Sequence, residues 1–184
     1  GQAYSQRGDR ARAVAQLSKA IKMDPDSPSR DKWDSLLKTN RYWLLIKQGD
    51  SALKSGQLAQ AQNNYAQAQR IDNTDSYAVL GLGDVAAARK ENAAAERYYQ
   101  RALRMDRGNS LAVRGLANLY RAESPEKASA YIASLSPGQR RSIDDIERSL
   151  TNDRLEKQAE ALESQGSWAQ AAEVQRRRLA LDPD

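Results

Sequence analysis

The chain has 184 residues with a formal net charge of +5, from 29 basic and 24 acidic side chains, and it contains neither Cys nor His. Those two absences exclude disulfides, thiol and imidazole chemistry, and the usual zinc ligands. No stretch approaches the roughly 20 apolar residues that span a bilayer, and no signal peptide is legible.

In chain order, residues 1–27 read as the tail of one helix (1–7) followed by its partner (Asp9–Met23). Asp24-Pro25-Asp26 closes the unit, because proline cannot continue a helix. Residues 28–41 carry Trp33, Leu36 and Leu37 at helical spacing after a Ser27-Pro28 start. That length suits an extra helix without a partner, or an extension of the next one. Two regular units follow, 42–75 and 76–109. Each is a first helix (about 42–55 and 76–89) and a second (about 58–71 and 92–105), with turns at Asn73-Thr74-Asp75 and Arg107-Gly108-Asn109. A degenerate unit spans 110–136. Val113, Leu116, Ala117 and Tyr120 fill its first helix, and a short second helix from Pro125 to about Ser134 offers Ala128, Ile132 and Leu135 to the core. Ser136-Pro137 restarts the chain, and the stripe Ile143, Ile146, Leu150 predicts a second unpaired helix over 137–151. A last unit, 152–184, places Leu155, Ala159, Leu162, Gly166, Ala171 and Pro183 in phase. The chain opens in mid-repeat and stops where one repeat hands over to the next, so it is expected to be a segment of a longer array.

A 34-residue period underlies these units. Gly49, Gly56, Ala61, Tyr65 and Ala68 recur as Gly83, Lys90, Ala95, Tyr99 and Ala102, with Gly56 and Lys90 in a turn. Upstream, Gly1, Tyr4, Gly8, Ala13, Leu17, Ala20 and Pro25 fill the same slots. Paired helices cannot bury their apolar faces alone, so neighbouring pairs must stack. Gly49, Gly83, Ala61 and Ala95 sit where helix axes come closest, Tyr65 and Tyr99 fill the space between units, and Ala68 and Ala102 admit the following helix. This pattern resembles the tetratricopeptide repeat. The resemblance implies an all-α, right-handed superhelix (an α-solenoid), here interrupted by two unpaired helices. Such joints are expected to redirect the superhelix axis and to act as hinges.

In that family the inward-facing positions are the second, fifth, ninth and twelfth of each unit. Here they are Trp43, Ile46, Asp50 and Leu53; Tyr77, Leu80, Asp84 and Ala87; Leu111, Arg114, Asn118 and Arg121; and Asp153, Glu156, Glu160 and Glu163. The expected groove runs from aromatic and apolar through basic to acidic. Charge is also uneven, with 21 basic and 14 acidic side chains in residues 1–135 against 8 and 10 in residues 136–184. Trp43 and Tyr77 either stack on a sugar ring or peptide side chain, or pack between units. Arg114 and Asn118 resemble half of a carboxylate clamp for chaperone peptides. The neighbouring units offer Ile46/Asp50 and Leu80/Asp84 instead of its other half, so that function is excluded. Arg176-Arg177-Arg178 spreads around its helix and forms no single phosphate site. Gly81-x-Gly83 lies mid-helix rather than in a phosphate loop, and Asp144-Asp145 face different ways. No catalytic, metal or cofactor-binding residues are therefore assigned. The inward side chains do not repeat as an RNA-reading array would require, and no nucleic acid is expected.

Four further stretches are not repeat consensus: Ser124–Ala130, Gln139–Leu150, Ala159–Glu163 and Trp168–Ala172. They resemble the repeat region of the BcsC family, a component of bacterial cellulose synthase systems. That resemblance implies a periplasmic scaffold preceding an outer-membrane barrel. It would assist glucan export through partners in a cellulose synthase and export complex; the alternatives are a channel that binds β-1,4-glucan itself through the concave aromatics, and a generic peptide-binding repeat adaptor. This segment is not expected to insert in a membrane.

Overall fold

The computed structural model describes residues 9–181. Gly1, Tyr4, Gly8, the helix expected over 1–7 and Pro183 lie outside the described residues. Among the described residues every element is a helix. In order they are α1 (Arg10–Met23), α2 (Arg30–Lys54), α3 (Leu58–Ile71), α4 (Ser76–Ala88) and α5 (Asn92–Met105). Then come α6 (Ser110–Glu123), α7 (Pro125–Ser134), α8 (Pro137–Arg141), α9 (Asp144–Ser164) and α10 (Trp168–Leu181). The chain divides into two compact units, 1–112 and 113–184.

In the first unit the hairpins α2/α3 and α4/α5 stack side by side, in the manner of an α-solenoid, and α1 packs on α2. The two hairpin turns share one chemistry. Gly56 and Lys90 both take positive φ, +75° and +62°. The next amide reaches back across the turn, Gln57 N–H to the Ala52 carbonyl at 2.8 Å and Glu91 N–H to that of Ala86 at 2.9 Å. That left-handed closure satisfies carbonyls the helix end leaves orphaned. Each second helix then ends on an aspartate, Asp72 or Asp106, whose carboxylate folds over the exit by accepting from Thr74 N–H or Gly108 N–H at 2.9 Å. Helix α4 is buried nearly all round, with Ala78, Val79, Leu80, Leu82, Val85 and Ala86 each at most 6% exposed, as expected of a helix between two others.

The glycines act as the period predicts. A Cβ on Gly49 would sit 2.6 Å from the Tyr65 ring, and one on Gly81 would sit 2.4 Å from the same ring. Tyr65 thus lies between α2 and α4, and only hydrogen at both positions leaves room for it. Gly83 stands in the same relation to Tyr99, at 2.8 Å.

Of the two inserts, the first takes the second of its expected forms, an extension of the next helix, and the other departs from expectation. Residues 28–41 are not a separate helix, since α2 runs unbroken for 25 residues from Arg30 to Lys54. No Pro or Gly falls between Arg30 and Gly49 to stop it, and at about 1.5 Å per residue it is a rod about 37 Å long. Its inserted half is held by α1, where Arg10 Nη1 donates to the fully buried Asn40 Oδ1 at 3.0 Å. The helix expected over 137–151 divides instead. Ser136 and Gln139 form a capping box for the five-residue α8. The buried Ile143 then precedes a fresh start at Asp144-Asp145, acids suited to a helix N-terminus, and α9 continues to Ser164. Helical bonding is therefore continuous at 41/42 and at 151/152. In the second unit α9 and α10 form the regular hairpin, closed by Gly166 at φ +76°, while α7 contacts the first turns of α9.

Candidate functional site

The sequence-derived inward positions fall into three kinds of environment. Ile46 and Leu80 are not surface residues: they are 6% and 5% exposed, and Ile46 packs in a core with Tyr42, Ala61, Tyr65 and Leu82. An aliphatic side chain on a helix face flanked by two neighbours gains more from burial than from solvent. They are removed from the groove lining.

Asp50 and Asp84 are bound to tyrosines of their own hairpins. Tyr65 Oη donates to Asp50 Oδ1 at 2.6 Å, and Tyr99 Oη to Asp84 Oδ1 at 2.7 Å. Burial pushes both hydroxyls well above the usual tyrosine range, and the adjacent carboxylates add to it, so both remain protonated donors. Burial also raises the Asp84 carboxyl, with the negative charge of Asp50 acting in the same direction against the Tyr99 bond. A third tyrosine, Tyr42, donates to Asp75 Oδ1 at 2.8 Å, and that oxygen also caps α4 through Tyr77 N–H. These carboxylates position helices, and sequence reasoning missed that role. The signal was present as a constant offset of 15 residues, Asp50 to Tyr65 and Asp84 to Tyr99.

Trp43 and Tyr77 meet edge to face, with ring centroids 5.4 Å apart, and Tyr42 meets Trp43 the same way at 5.1 Å. Trp43 is half-buried by these contacts, so it packs between helices, whereas Tyr77 is 45% exposed. Leu111, at the same slot one period later, is 51% exposed. Tyr77 and Leu111 are the exposed apolar members of the first unit's inward row.

In the second unit most charged positions of the expected groove are held in ion pairs, one with another groove position and two with side chains outside the row. Arg114 grips Asp145 with both terminal nitrogens at 2.8 Å and donates to the Ser142 carbonyl at 3.0 Å. This bidentate pair holds the Asp145 carboxyl below the usual carboxylate range. Arg121 donates to Asp153 Oδ2 at 2.9 Å and to Ser149 Oγ at 2.8 Å. Glu156 pairs with Arg178 at 2.9 Å. Of the sixteen inward positions, only Asn118, Glu160 and Glu163 then remain in this unit without a side-chain partner among the described residues, and Asn118 and Glu160 are exposed. A second feature of this unit escaped the sequence. A cleft of about 610 Å³ opens between α7 and α9, with Ile132, Leu150, Arg154 and Lys157 in its lining. Among the described residues no three acids converge as a metal site would need, and no helix is long and apolar enough to cross a membrane.

Two tetratricopeptide-repeat profiles match the chain, one over residues 46–110 and one over residues 1–27. Over 183 residues it is 74% identical to the cellulose synthase operon protein C of Escherichia coli strain K12. The same identity holds for the putative cellulose synthase operon protein C of Escherichia coli O157:H7, and both alignments take in 100% of this chain and 16% of the relative. Against cellulose synthase operon protein C of Salmonella typhimurium the identity is 78% over 169 residues, 92% of this chain and 14% of that protein. The chain thus spans about a sixth or less of the length of the curated relatives it matches.

Proposed function

Because the chain belongs to the tetratricopeptide-repeat family, we propose that it is a non-catalytic scaffold segment that assists cellulose (β-1,4-glucan) export by holding protein partners. It does so in the periplasm, between an inner-membrane synthase and an outer-membrane barrel. The observation that carries this reading is the 74% identity, along the whole chain, to proteins whose names place them in a cellulose synthase operon. The chemistry agrees with it. Most carboxylates and guanidiniums of the repeat positions are held within the protein, Asp50 and Asp84 by tyrosines and Arg114, Arg121 and Glu156 by ion pairs, leaving Tyr77 and Leu111 as the exposed apolar contact surface. Exposed aromatic and aliphatic side chains beside a rigid core suit a peptide anchor.

A photoreactive residue at Tyr77, in the complete protein in living bacteria, tests this. Crosslinks to proteins of the cellulose machinery are expected, together with sensitivity of the segment to protease once the periplasm is opened. Crosslinks only to unrelated proteins, or protection from that protease, would overturn it.

Direct contact with the glucan is the second reading, favoured by the exposed Tyr77 ring next to Trp43. A neutral polymer stacking on aromatics binds with little dependence on salt, unlike a charged peptide. Titration with cello-oligosaccharides at two ionic strengths, with Tyr77→Ala alongside, separates the two.

A further inference from the structure

Helices α3 and α5 each run 14 residues, but α7 stops after 10 and gives way to α8. The shortfall leaves part of α9 uncovered, and the cleft of about 610 Å³ between α7 and α9 is the result. Its floor is apolar, with Ile132 from α7 and Leu150 from α9. Its rim is charged, and most of that charge is already neutralised. Arg140 is bound by Glu147 through both nitrogens and oxygens, and Asp153 is held by Arg121. Arg154 and Lys157, one helical turn apart on α9, are exposed and pair with no acid among the described residues. The three basic and three acidic side chains of the lining balance in number. Arg121, outside it, offsets Asp153, however, and Glu126 makes no ion pair among the described residues, so Arg154 and Lys157 leave a local excess of one positive charge.

We propose that this cleft docks an acidic segment of a partner protein, which places a bulky apolar side chain over Ile132 and Leu150 and its carboxylates on Arg154 and Lys157. Charge complementarity selects the acid, and the floor selects the apolar side chain next to it. A neutral glucan satisfies neither. The site is separate from the Tyr77 surface and rests on the scaffold reading only in requiring a protein partner.

The test places a photoreactive residue at Ser129, an exposed position in the cleft lining, in the complete protein in living bacteria. Crosslinked peptides are then sequenced by mass spectrometry. The expected product is a segment of another protein in which at least two Asp or Glu flank a bulky apolar residue. Its yield should fall about tenfold in the double variant Arg154→Glu, Lys157→Glu, as like charges now face each other. Both positions are exposed, so the purified variant should melt with the wild type. Any of four outcomes overturns the proposal: no crosslinked product, a cellulase-sensitive product, a peptide from another part or copy of the same protein, or a yield indifferent to charge reversal. Failure at Ser129 with success at Tyr77 removes this site and leaves the scaffold reading standing.

Discussion

The Tyr65 hydroxyl donates to Asp50 across the α2/α3 hairpin at 2.6 Å, and one period later Tyr99 repeats the bond to Asp84 at 2.7 Å. The pair ties the inner face of a first helix to a ring clamped by glycines, so one residue couples packing to polarity. Tyr65→Phe keeps the ring and removes the bond. Because Asp50 is exposed and can be rehydrated, the loss should be near the ordinary value for one hydrogen bond, about 1 kcal/mol, read as a lower urea midpoint at unchanged m-value. No shift in midpoint would mean that the ring alone locks the hairpin.

Glycine at 81 is required by contact rather than by backbone freedom. Alanine is ordinarily favoured over glycine in a helix by about 1 kcal/mol. Here its Cβ would lie 2.4 Å from a ring that is 1% exposed and has Gly49 on its other side. Gly81→Ala should therefore destabilise by about 1–3 kcal/mol despite its better helix propensity. Gly138→Ala, in α8 with nothing within 4 Å, should be neutral or stabilising. Equal effects at the two sites, by chemical denaturation, would contradict the clamp.

Two carboxylates should move stability in opposite directions with pH. Asp84 is raised, chiefly by burial, so the folded state binds its proton more tightly than the unfolded chain does. Its contribution is present below 3.8 and lost as pH rises through the folded value; Asp84→Asn should flatten that decline. Asp145 is lowered by Arg114, so its contribution is present above 3.8 and lost as pH falls through the folded value. Both partners are substantially exposed, so it amounts to no more than about 1 kcal/mol and should weaken in salt. Thermal melts across pH for the wild type, Asp84→Asn and Asp145→Asn check both signs.

Lys90 occupies the turn slot that holds glycine in the other two regular hairpins, at φ 62°. A side chain there strains the left-handed backbone, offset in part by the entropy glycine loses on folding. Lys90→Gly should stabilise by about 0.5–1 kcal/mol. Destabilisation would show that the lysine makes a compensating contact.

What repeats could be read in the sequence, and what occurs once could not. The small residues, the inter-unit tyrosines and the turn positions announce themselves because each appears at 34-residue intervals. The Asp50–Tyr65 and Asp84–Tyr99 bonds share that periodicity, yet the aspartates read as groove lining because a surface slot and a bonding slot look alike without the partner in view. Arg114–Asp145 and Arg121–Asp153 join helices at separations of 31 and 32 residues that no second unit echoes. The fusion of the insert into α2 was open for a related reason: the absence of a breaker after Arg30 permits continuity but does not demand it. The cleft beside α7 depends on how far a short helix falls below its neighbours, a matter of fit in space rather than of spacing.

Helix α2 has a consequence for how the protein comes apart. In an ordinary row of repeats each hairpin owns both its helices, and an end can fray while the rest stands. Here a single rod serves α1 along one half and α3 along the other, so releasing α1 strips the inserted half of much of its cover. Melting at that end should then spread into the α2/α3 hairpin as one cooperative event, and amide exchange there should show a shared opening in place of a gradient.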